Sequence, residues 1–228
     1  MNCVICDSKV KKKENIFQCG NCGHTYINIP IQENIEYQKH YHLSSNCRTL
    51  KLTNGKVPQS FHDDRYGICS ARVKKIKNML KRSYFLLDVG GSCGTFALHA
   101  SPYIDTIEIT DLADYQKMES ERLGFRFYQG NFNDLEFTNT YDIVTAWHVL
   151  EHVNDVHSFI QKCKNLARKY VVIEVPVKRK IQGTIESDGH VHYFTQKSLE
   201  ILIKKYFKKY RIQEGVQKPS LMMIAEKD

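Results

Sequence analysis

Beyond residue 71 the sequence alternates between two hydrophobic patterns, and this alternation restricts the fold more than any other feature of the chain. Apolar residues recur at helical spacing in segments such as Arg72–Lys81, whereas Tyr84–Val89 and Tyr170–Val175 are short, almost continuous apolar runs. Runs of this length are typical of strands that are buried on both faces of a sheet. Helices that alternate with such strands predict an α/β fold with a mostly parallel sheet.

Seven such strands are predicted, with helices between them. Thr195 is a suitable N-terminal cap for the last helix, because its hydroxyl can accept a hydrogen bond from a backbone N–H of the first turn. The pattern favours a Rossmann-like α/β fold with a seven-stranded, mostly parallel sheet. The predicted strands are 84–89, 104–111, 125–129, 141–146, 170–175, 210–216 and 221–225, and the predicted helices are 72–81, one starting at 94, 113–123, 155–167 and 195–206.

The chain of 228 residues divides into three predicted parts. Residues 1–30 are polar, rich in cysteine and end at Pro30, and residues 71–228 carry the α/β pattern. Residues 31–70 have no clear period but are rich in histidine and tyrosine, for example in Tyr37–His42 and His62–Tyr66. We expect these residues to form a helical connector that acts as a lid over a bound molecule.

The formal net charge of +8 is compatible with an anionic partner such as nucleic acid. However, the lysines and arginines are spread over several segments at helical spacing, as expected for solvated helix faces. The apolar runs are far shorter than the roughly 20 residues of a membrane-spanning helix. Because the N-terminus also lacks the charged and apolar regions of a secretory signal, we expect a cytoplasmic protein without a membrane partner.

A glycine-rich turn, Gly90–Gly94, follows the first predicted strand directly. In α/β sheets this place, at the carboxyl end of a strand and beside the start of a helix, is where nucleotide cofactors bind. Glycine allows the backbone to approach such a ligand closely. The dinucleotide pattern GxGxxG would require glycine at the positions of Ser92 and Thr95, which argues against NAD.

An acidic residue, Asp111, ends the second predicted strand, some twenty residues after the glycine-rich turn. A carboxylate at this position is suited to hold the hydroxyls of a ribose. Glu108 on the same strand is the less favoured alternative. The two features together predict a site for an adenosyl group between the turn and Asp111.

The pattern Asp88-x-Gly90-x-x-x-Gly94 resembles motif I of the class I methyltransferases, with Ser92 in place of a third glycine. Gly130–Phe132 is similar to the family's adenine-contacting turn, and Tyr141–Val153 and Gly189–Thr195 resemble segments of its small-molecule branch. The resemblance covers about residues 72–225. It implies S-adenosylmethionine as the cofactor, held by Asp88, Gly90, Gly91, Ser92, Gly94, Asp111, Leu112, Asn131, Phe132, Ala146 and Trp147.

Within this resemblance, Asn131 is expected to pair with the adenine amino group and Phe132 to stack near adenine. The backbone around Ala146 and Trp147 is expected to face the methionine part of the cofactor.

Methyl transfer from a sulfonium requires alignment of the acceptor, exclusion of water and, for a hydroxyl acceptor, removal of a proton. Candidate bases lie near the carboxyl ends of the fourth and fifth core strands, where Glu174 and Tyr193 accompany four histidines. Histidine is favoured because the imidazole pKa is close to neutrality. His152 and His190 are preferred, and His148 and His192 are the other candidates. The alternative for His152 and His190 is that they are packed, hydrogen-bonded core histidines.

His148-x-x-Glu151-His152 also matches the HxxEH pattern of the inverted zinc peptidases. That assignment is disfavoured because the motif lies directly after a strand and lacks a convincing companion glutamate downstream.

Four cysteines in the first part, Cys3, Cys6, Cys19 and Cys22, form two CxxC pairs separated by twelve residues. Such pairs supply the four thiolates of a tetrahedral zinc site, and the glycine-ending turns Cys19-Gly20 and Cys22-Gly23 fit the geometry of a zinc ribbon. The alternative is four free thiols. We expect a zinc ribbon with a structural role, because four protein ligands leave no open position on the metal.

The leading functional hypothesis is methylation of a small molecule such as a sugar, nucleotide-sugar or polysaccharide precursor. The first alternative is RNA methylation, with the ribbon and the positive charge docking on phosphates. The second is a non-catalytic zinc-ribbon interaction protein, which is least favoured because the predicted cofactor-binding residues are present.

Overall fold

The computed structural model describes residues 1–27, 59–112, 114–177 and 190–228, with side chains from residue 65 onward in the second range and from 117 in the third. Most of the predicted lid, including residues 37–42, lies outside these ranges. In the described part of the chain, no helix is both long and apolar enough to cross a membrane.

The larger sheet has seven strands, numbered along the whole chain: β4 (Phe85–Val89), β5 (Thr106–Asp111), β6 (Arg126–Gln129), β7 (Tyr141–Trp147), β8 (Ala167–Pro176), β10 (Lys209–Glu214) and β11 (Ser220–Glu226). Their order in the sheet is β10-β11-β8-β7-β4-β5-β6, and all neighbouring pairs except β10–β11 and β11–β8 are parallel. This arrangement confirms the predicted Rossmann-like fold.

Five helices flank this sheet in the described residues: α1 (Gln59–Ile76), α2 (Thr95–Ala100), α3 (Asp114–Arg122), α4 (Val156–Leu166) and α5 (Gln196–Lys204). Helices α4 and α5 are amphipathic and begin at the side-chain caps Asp155 and Thr195. The predicted cap at Thr195 is confirmed, and Ser198 completes a capping box. Central strand β7 is buried along its whole length, as its apolar sequence predicts.

Helix α1 differs from its prediction. It was expected over 72–81 but spans Gln59–Ile76, followed by a 3₁₀ turn at Lys77–Met79. Buried Cys69 continues the helical spacing of Val73 and Ile76 to the N-terminal side of residue 72. In that region Gly67 and polar residues obscure the apolar period in the sequence. The boundary predicted between residues 70 and 71 therefore falls inside a helix.

A second, smaller sheet contains the N-terminal strands β1 (Val10–Lys13), β2 (Ile16–Cys19) and β3 (Thr25–Ile27). Its fourth strand, β9 (His192–Tyr193), comes from the α/β part of the chain and pairs antiparallel with β3. We call residues 1–27 the ribbon. The ribbon was predicted as a module of its own. However, Ile5 and the cysteines of the ribbon share one apolar core with residues of the α/β part such as Phe194 and Leu199.

Candidate active site

The glycine-rich turn between β4 and α2 has a backbone that only some residues adopt. Gly90 and Gly94 have φ values of +68° and +78°, and Ser92 has +53°. A Cβ atom on Gly90 would lie 2.3 Å from Cγ2 of Val149, in the segment after β7. Glycine is therefore required at position 90, and the turn lies directly against the residues that follow β7.

Asp111, at the end of β5, is hydrogen-bonded to this turn. Its Oδ2 accepts the backbone N–H of Ser92 at 2.9 Å, and its Oδ1 accepts that of Leu112 at 2.7 Å. The structure thus brings together the turn and the carboxylate that were predicted to hold an adenosyl group. The alternative carboxylate, Glu108, accepts hydrogen bonds from the hydroxyls of Tyr128 and Tyr141 within the sheet.

Asp88 lies beneath the turn and is fully buried. Its Oδ1 accepts a hydrogen bond from Thr145 Oγ1 at 2.7 Å, and a Cβ on Gly91 would lie 2.7 Å from its Oδ2. Burial raises the pKa of the Asp88 carboxyl to about 7, although Thr145 and Arg72 oppose the shift. The geometry gives Asp88 the role of a support under the turn.

The residues predicted to contact adenine lie in different environments. Asn131 is exposed, with its Oδ1 accepting the backbone N–H of Asn133 at 3.2 Å. Leu112 is also exposed and offers an apolar surface next to Asp111. Phe132, in contrast, is buried in an aromatic cluster, with its ring centroid 5.1 Å from that of Phe159, which leaves little of the ring for stacking on adenine.

Ala146 and Trp147 end β7 beside the turn. Ala146 is fully buried, and the Trp147 ring packs between Phe96 and the guanidinium of Arg72, with distances of 4.9 and 5.1 Å. Their side chains therefore face the protein interior, so a cofactor on this side would meet their backbone, as the resemblance implies.

Three histidines surround one buried carboxylate after β7. Glu151 is fully buried, and its Oε1 lies 3.3 Å from His148 Nδ1 and 4.0 Å from Nε2 of both His152 and His190. The rings of His152 and His190 meet edge to face, with centroids 4.7 Å apart. We call Glu151, His148, His152 and His190 the histidine–glutamate cluster.

The cluster joins distant parts of the sequence at one sheet edge. His148 has a left-handed backbone, with φ of +57°, and its N–H donates to the Glu174 carbonyl at 2.8 Å. This conformation turns the chain back so that Glu151 and His152, on a 3₁₀ turn (Leu150–His152), face His190. Ligand atoms of Glu151, His152 and His190 lie within 4.8 Å of one another, a spacing that also suits a metal ion.

The charges within the cluster are set by burial and by two carboxylates. Burial lowers the pKa of His148, but Glu151 and Glu174 outweigh it and raise the value to about 9. Burial likewise opposes the charge of Glu151, but His148 and the other two imidazoles keep the pKa of its carboxyl below the usual value. His148 is therefore a cation at neutral pH, which makes it unsuited to remove a proton.

His192, the fourth predicted base, lies outside the cluster. It is buried, and its Nδ1 is 3.1 Å from Nε2 of His24 in the ribbon. Burial lowers the pKa of His192 to about 4, so its ring is neutral. The structure points this side chain away from His190 toward the ribbon.

Arg72 was not predicted as a site residue, Glu151 was noted only as part of the HxxEH pattern, and Glu174 was noted near the candidate bases without being preferred. Glu174, on β8, is fully buried, accepts Arg72 Nε at 2.9 Å and is further bonded by Ser220 Oγ at 2.6 Å. Burial opposes its charge, but these partners and His148 lower the pKa of the Glu174 carboxyl. The detectable signal was a charged residue inside the otherwise apolar run Tyr170–Val175, which is uncommon unless the charge is paired.

The four cysteine sulfurs of the ribbon lie together. Cys3 and Cys22 sulfurs are 3.7 Å apart, and those of Cys6 and Cys19 are 3.5 Å apart. A tetrahedral site with Zn–S bonds of about 2.3 Å has sulfur–sulfur edges of about 3.8 Å. The donor set and its spacing therefore fit a four-thiolate zinc ion.

The fold and the site define an α/β protein in which a glycine-rich turn and the carboxylate of Asp111 lie together, near a polar, buried cluster. Residues 61–206 match the model of the methyltransferase domain family, and the chain belongs to this family. Membership confirms the predicted enzyme class, an S-adenosylmethionine-dependent methyltransferase. A search of curated proteins finds no match to the sequence.

Solved methyltransferase structures share the fold at low sequence identity. DhpI in complex with S-adenosylhomocysteine has a TM-score of 0.62 at 15% identity, covering 86% of this chain and 97% of DhpI. DesVI from Streptomyces venezuelae has 0.60 at 12%, covering 75% and 96%. The magnesium protoporphyrin IX methyltransferase ChlM from Synechocystis PCC 6803, with bound S-adenosylmethionine, has 0.58 at 14%, covering 88% and 100%.

Proposed function

We propose that this enzyme transfers a methyl group from S-adenosylmethionine to a small molecule such as a sugar, nucleotide-sugar or polysaccharide precursor. The observation that carries the proposal is the hydrogen bond from Ser92 to Asp111, in a turn that lies against Val149 and hence next to the histidine–glutamate cluster. A cofactor on the turn and an acceptor on the cluster would therefore be neighbours.

The chain's residues suit the cofactor at both ends of the cleft. Gly90 and Gly91 let the turn pack closely on Val149 and Asp88, where a Cβ would clash, and this packing holds the turn beside Asp111. Asp111 would accept ribose hydroxyls, and exposed Leu112 would cover one face of the adenine. When bound, the cofactor supplies an electrophilic methyl carbon.

The cluster would orient the acceptor and receive its proton. Because His148 is held as a cation between two carboxylates, the base in this proposal is His152 or His190. Glu151 stabilises the imidazolium that forms, since its carboxylate lies 4.0 Å from both rings. A polar cluster of this kind suits a hydroxyl-bearing acceptor, in agreement with the sugar-type branch that the sequence resembles.

The ribbon in this proposal carries one structural Zn²⁺ on Cys3, Cys6, Cys19 and Cys22. The support is the sulfur spacing and the burial of three of the four cysteines. A closed four-thiolate site holds the fold and offers no position to a substrate.

Calorimetric titration with S-adenosylmethionine tests the cofactor assignment. Wild-type chain should bind it, and Asp111→Ala should weaken binding roughly 10- to 100-fold, the usual effect of losing hydrogen bonds to a charged group. Asp105→Ala, which removes an exposed carboxylate paired with Arg82, is the matched control and should bind normally. Equal affinity of wild type and Asp111→Ala would refute the assignment.

A panel of sugars and nucleotide-sugars, with release of S-adenosylhomocysteine as the readout, tests the acceptor class. With an active acceptor, His152→Gln or His190→Gln should lower kcat by about 10²-fold or more while cofactor affinity stays unchanged. Turnover of RNA instead, with affinity that falls steeply as salt rises, would favour the alternative acceptor.

A further inference from the structure

The segment that carries His190 is bonded to two parts of the protein at once. The carbonyl of Val191 accepts the N–H of Ile27 in the ribbon at 2.9 Å, and the N–H of Val191 donates to the Glu151 carbonyl at 2.8 Å. The next two residues, in β9, pair with Thr25 and Tyr26 of β3. One residue therefore connects the ribbon to the turn that bears Glu151.

A buried histidine pair strengthens the connection. His24 in the ribbon and His192 in β9 are 0% and 3% exposed, and their Nε2 and Nδ1 atoms are 3.1 Å apart. The His24 ring also packs against Phe194, with centroids 5.0 Å apart. Since one ring nitrogen must donate and the other accept, the bond fixes the relative orientation of β3 and β9.

The cysteine loops hold the far end of the same segment. Thr195 Oγ1 donates to the Cys22 carbonyl at 2.7 Å, and a Cβ on Gly23 would lie 3.0 Å from Thr195 Cγ2. On the neighbouring helix, His157 Nε2 is 2.6 Å from the Val4 carbonyl. Residues 191–195 are thus held along their length by the parts of the ribbon that the four cysteines organise.

We propose that the ribbon is a positioning element of the acceptor site, which holds residues 191–193 so that His190 stays against Glu151, with His24 and His192 as the positioning residues. This inference rests on the proposed function, because it assigns His190 to the acceptor side. The ribbon contacts described above involve residues 151–157 and 191–195, whereas the glycine-rich turn, where the cofactor would bind, lies between β4 and α2. Loosening the ribbon should therefore disturb His190 and leave cofactor binding intact.

The test compares His24→Phe with His24→Gln in the full-length, zinc-loaded chain. Phenylalanine keeps a ring but removes the bond to His192, whereas the glutamine amide can take the place of Nε2. Amide hydrogen exchange of Val191 reports whether the segment stays on Glu151, and ¹⁵N NMR signals of the His190 ring report its surroundings. Both readouts are taken without cofactor, and the affinity for S-adenosylmethionine is measured separately.

In the His24→Phe variant the Val191 amide should exchange roughly tenfold faster, as expected for a lost buried hydrogen bond, and the His190 signals should shift. His24→Gln should restore both to nearly wild-type values, and cofactor affinity should be unchanged in both variants. Lys197→Met, which removes exposed bonds to Asn21 at the edge of the same contact, is the control and should change neither readout.

Unchanged Val191 exchange and His190 signals in the His24→Phe variant would overturn the inference. If that variant does not fold, chelation of the wild-type metal replaces it: faster Val191 exchange with retained cofactor binding supports the inference, and unchanged exchange overturns it. Loss of cofactor binding together with Val191 protection would overturn the restriction to the acceptor side. Failure of the untreated wild type to bind S-adenosylmethionine would instead refute the proposed function.

Discussion

His148 shows at the scale of one residue how backbone and charge combine in this site. Its left-handed φ of +57° is uncommon for a residue other than glycine, and asparagine and histidine tolerate it better than most. The strain is offset by contacts with two buried carboxylates, at 3.3 Å to Glu151 and 3.7 Å to Glu174. Strained residues of this kind concentrate at functional sites.

The charge of His148 predicts a pH dependence of stability. Its pKa is raised from 6.5 to about 9 in the folded protein, so its contribution is fully present below pH 6.5 and is lost as the pH rises through 9. The contribution amounts to roughly 3 kcal/mol at about 1.4 kcal/mol per pKa unit. Urea unfolding of wild type and His148→Asn between pH 6 and 10 should therefore converge at high pH.

The control for this experiment is His99→Asn, because His99 faces Tyr66 on α1 rather than these carboxylates. The free energy of unfolding of this variant should change with pH as that of the wild type does. A constant difference between wild type and His148→Asn across the pH range would contradict the assignment of the charge.

Gly90 provides a second prediction at this scale. Gly90→Ala places a Cβ 2.3 Å from Val149 and also requires a φ of +68°, so we expect a loss of about 3 kcal/mol in the free energy of unfolding. Gly124→Ala is the matched control: its φ is +88° but nothing lies within 4 Å, so it should lose only about 1 kcal/mol. Recovery of part of the difference in Gly90→Ala/Val149→Ala would identify the clash as the cause.

At the scale of elements, Glu174 joins α1, β8, β11 and the turn between β10 and β11. Its Oε2 accepts Arg72 of α1, while its Oε1 accepts Ser220 Oγ and the backbone N–H groups of Val216 and Gln217, at 2.6 to 2.9 Å. A single carboxylate thus accepts hydrogen bonds from α1, from the turn between β10 and β11, and from β11. The antiparallel part of the sheet is attached to α1 through this group.

We expect Arg72→Met to destabilise the protein by about 3 kcal/mol or more, because it leaves the buried Glu174 carboxylate without its guanidinium. The side chains of this pair are 10% and 0% exposed. Arg82→Met breaks the Arg82–Asp105 pair, whose side chains are 67% and 59% exposed, and should have little effect. Chemical denaturation of both variants measures the difference, and equal losses would show that Glu174 does not depend on Arg72.

At the scale of the whole molecule, the ribbon and the α/β part form one packed structure. Cys3, Ile5, Cys19 and Cys22 belong to the same apolar core as Phe159 and Leu202. The ribbon's sheet is completed by a strand from beyond β8. Loss of the metal should therefore affect more than the first thirty residues.

Elemental analysis should find about one zinc per chain, and none in Cys19→Ser. Chelation should lower Tm by roughly 10 °C in a single transition, because a structural zinc contributes several kcal/mol and each shifts Tm by about 2–4 °C in a domain of this size. Two separate transitions, one for the ribbon alone, would contradict the shared core. Absence of zinc in the wild type would refute the metal assignment.

The sequence by itself determined the α/β class, the order of the strands along the chain, the glycine-rich turn and the four-cysteine set. These features depend on hydrophobic period, on glycine at a backbone that excludes side chains, and on spacing within a few residues. The placement of Asp111 beside Ser92 also followed, since parallel strands bring their carboxyl ends to one edge.

Only the tertiary structure decided the contacts between segments far apart in the chain. His190 meets Glu151 across about forty residues, and His192 meets His24 across 168 residues, so neither pair has a local pattern. The same holds for Phe132, which an aromatic cluster buries, and for the extension of α1 to Gln59. Such contacts depend on how whole elements pack, which apolar period and residue type do not specify.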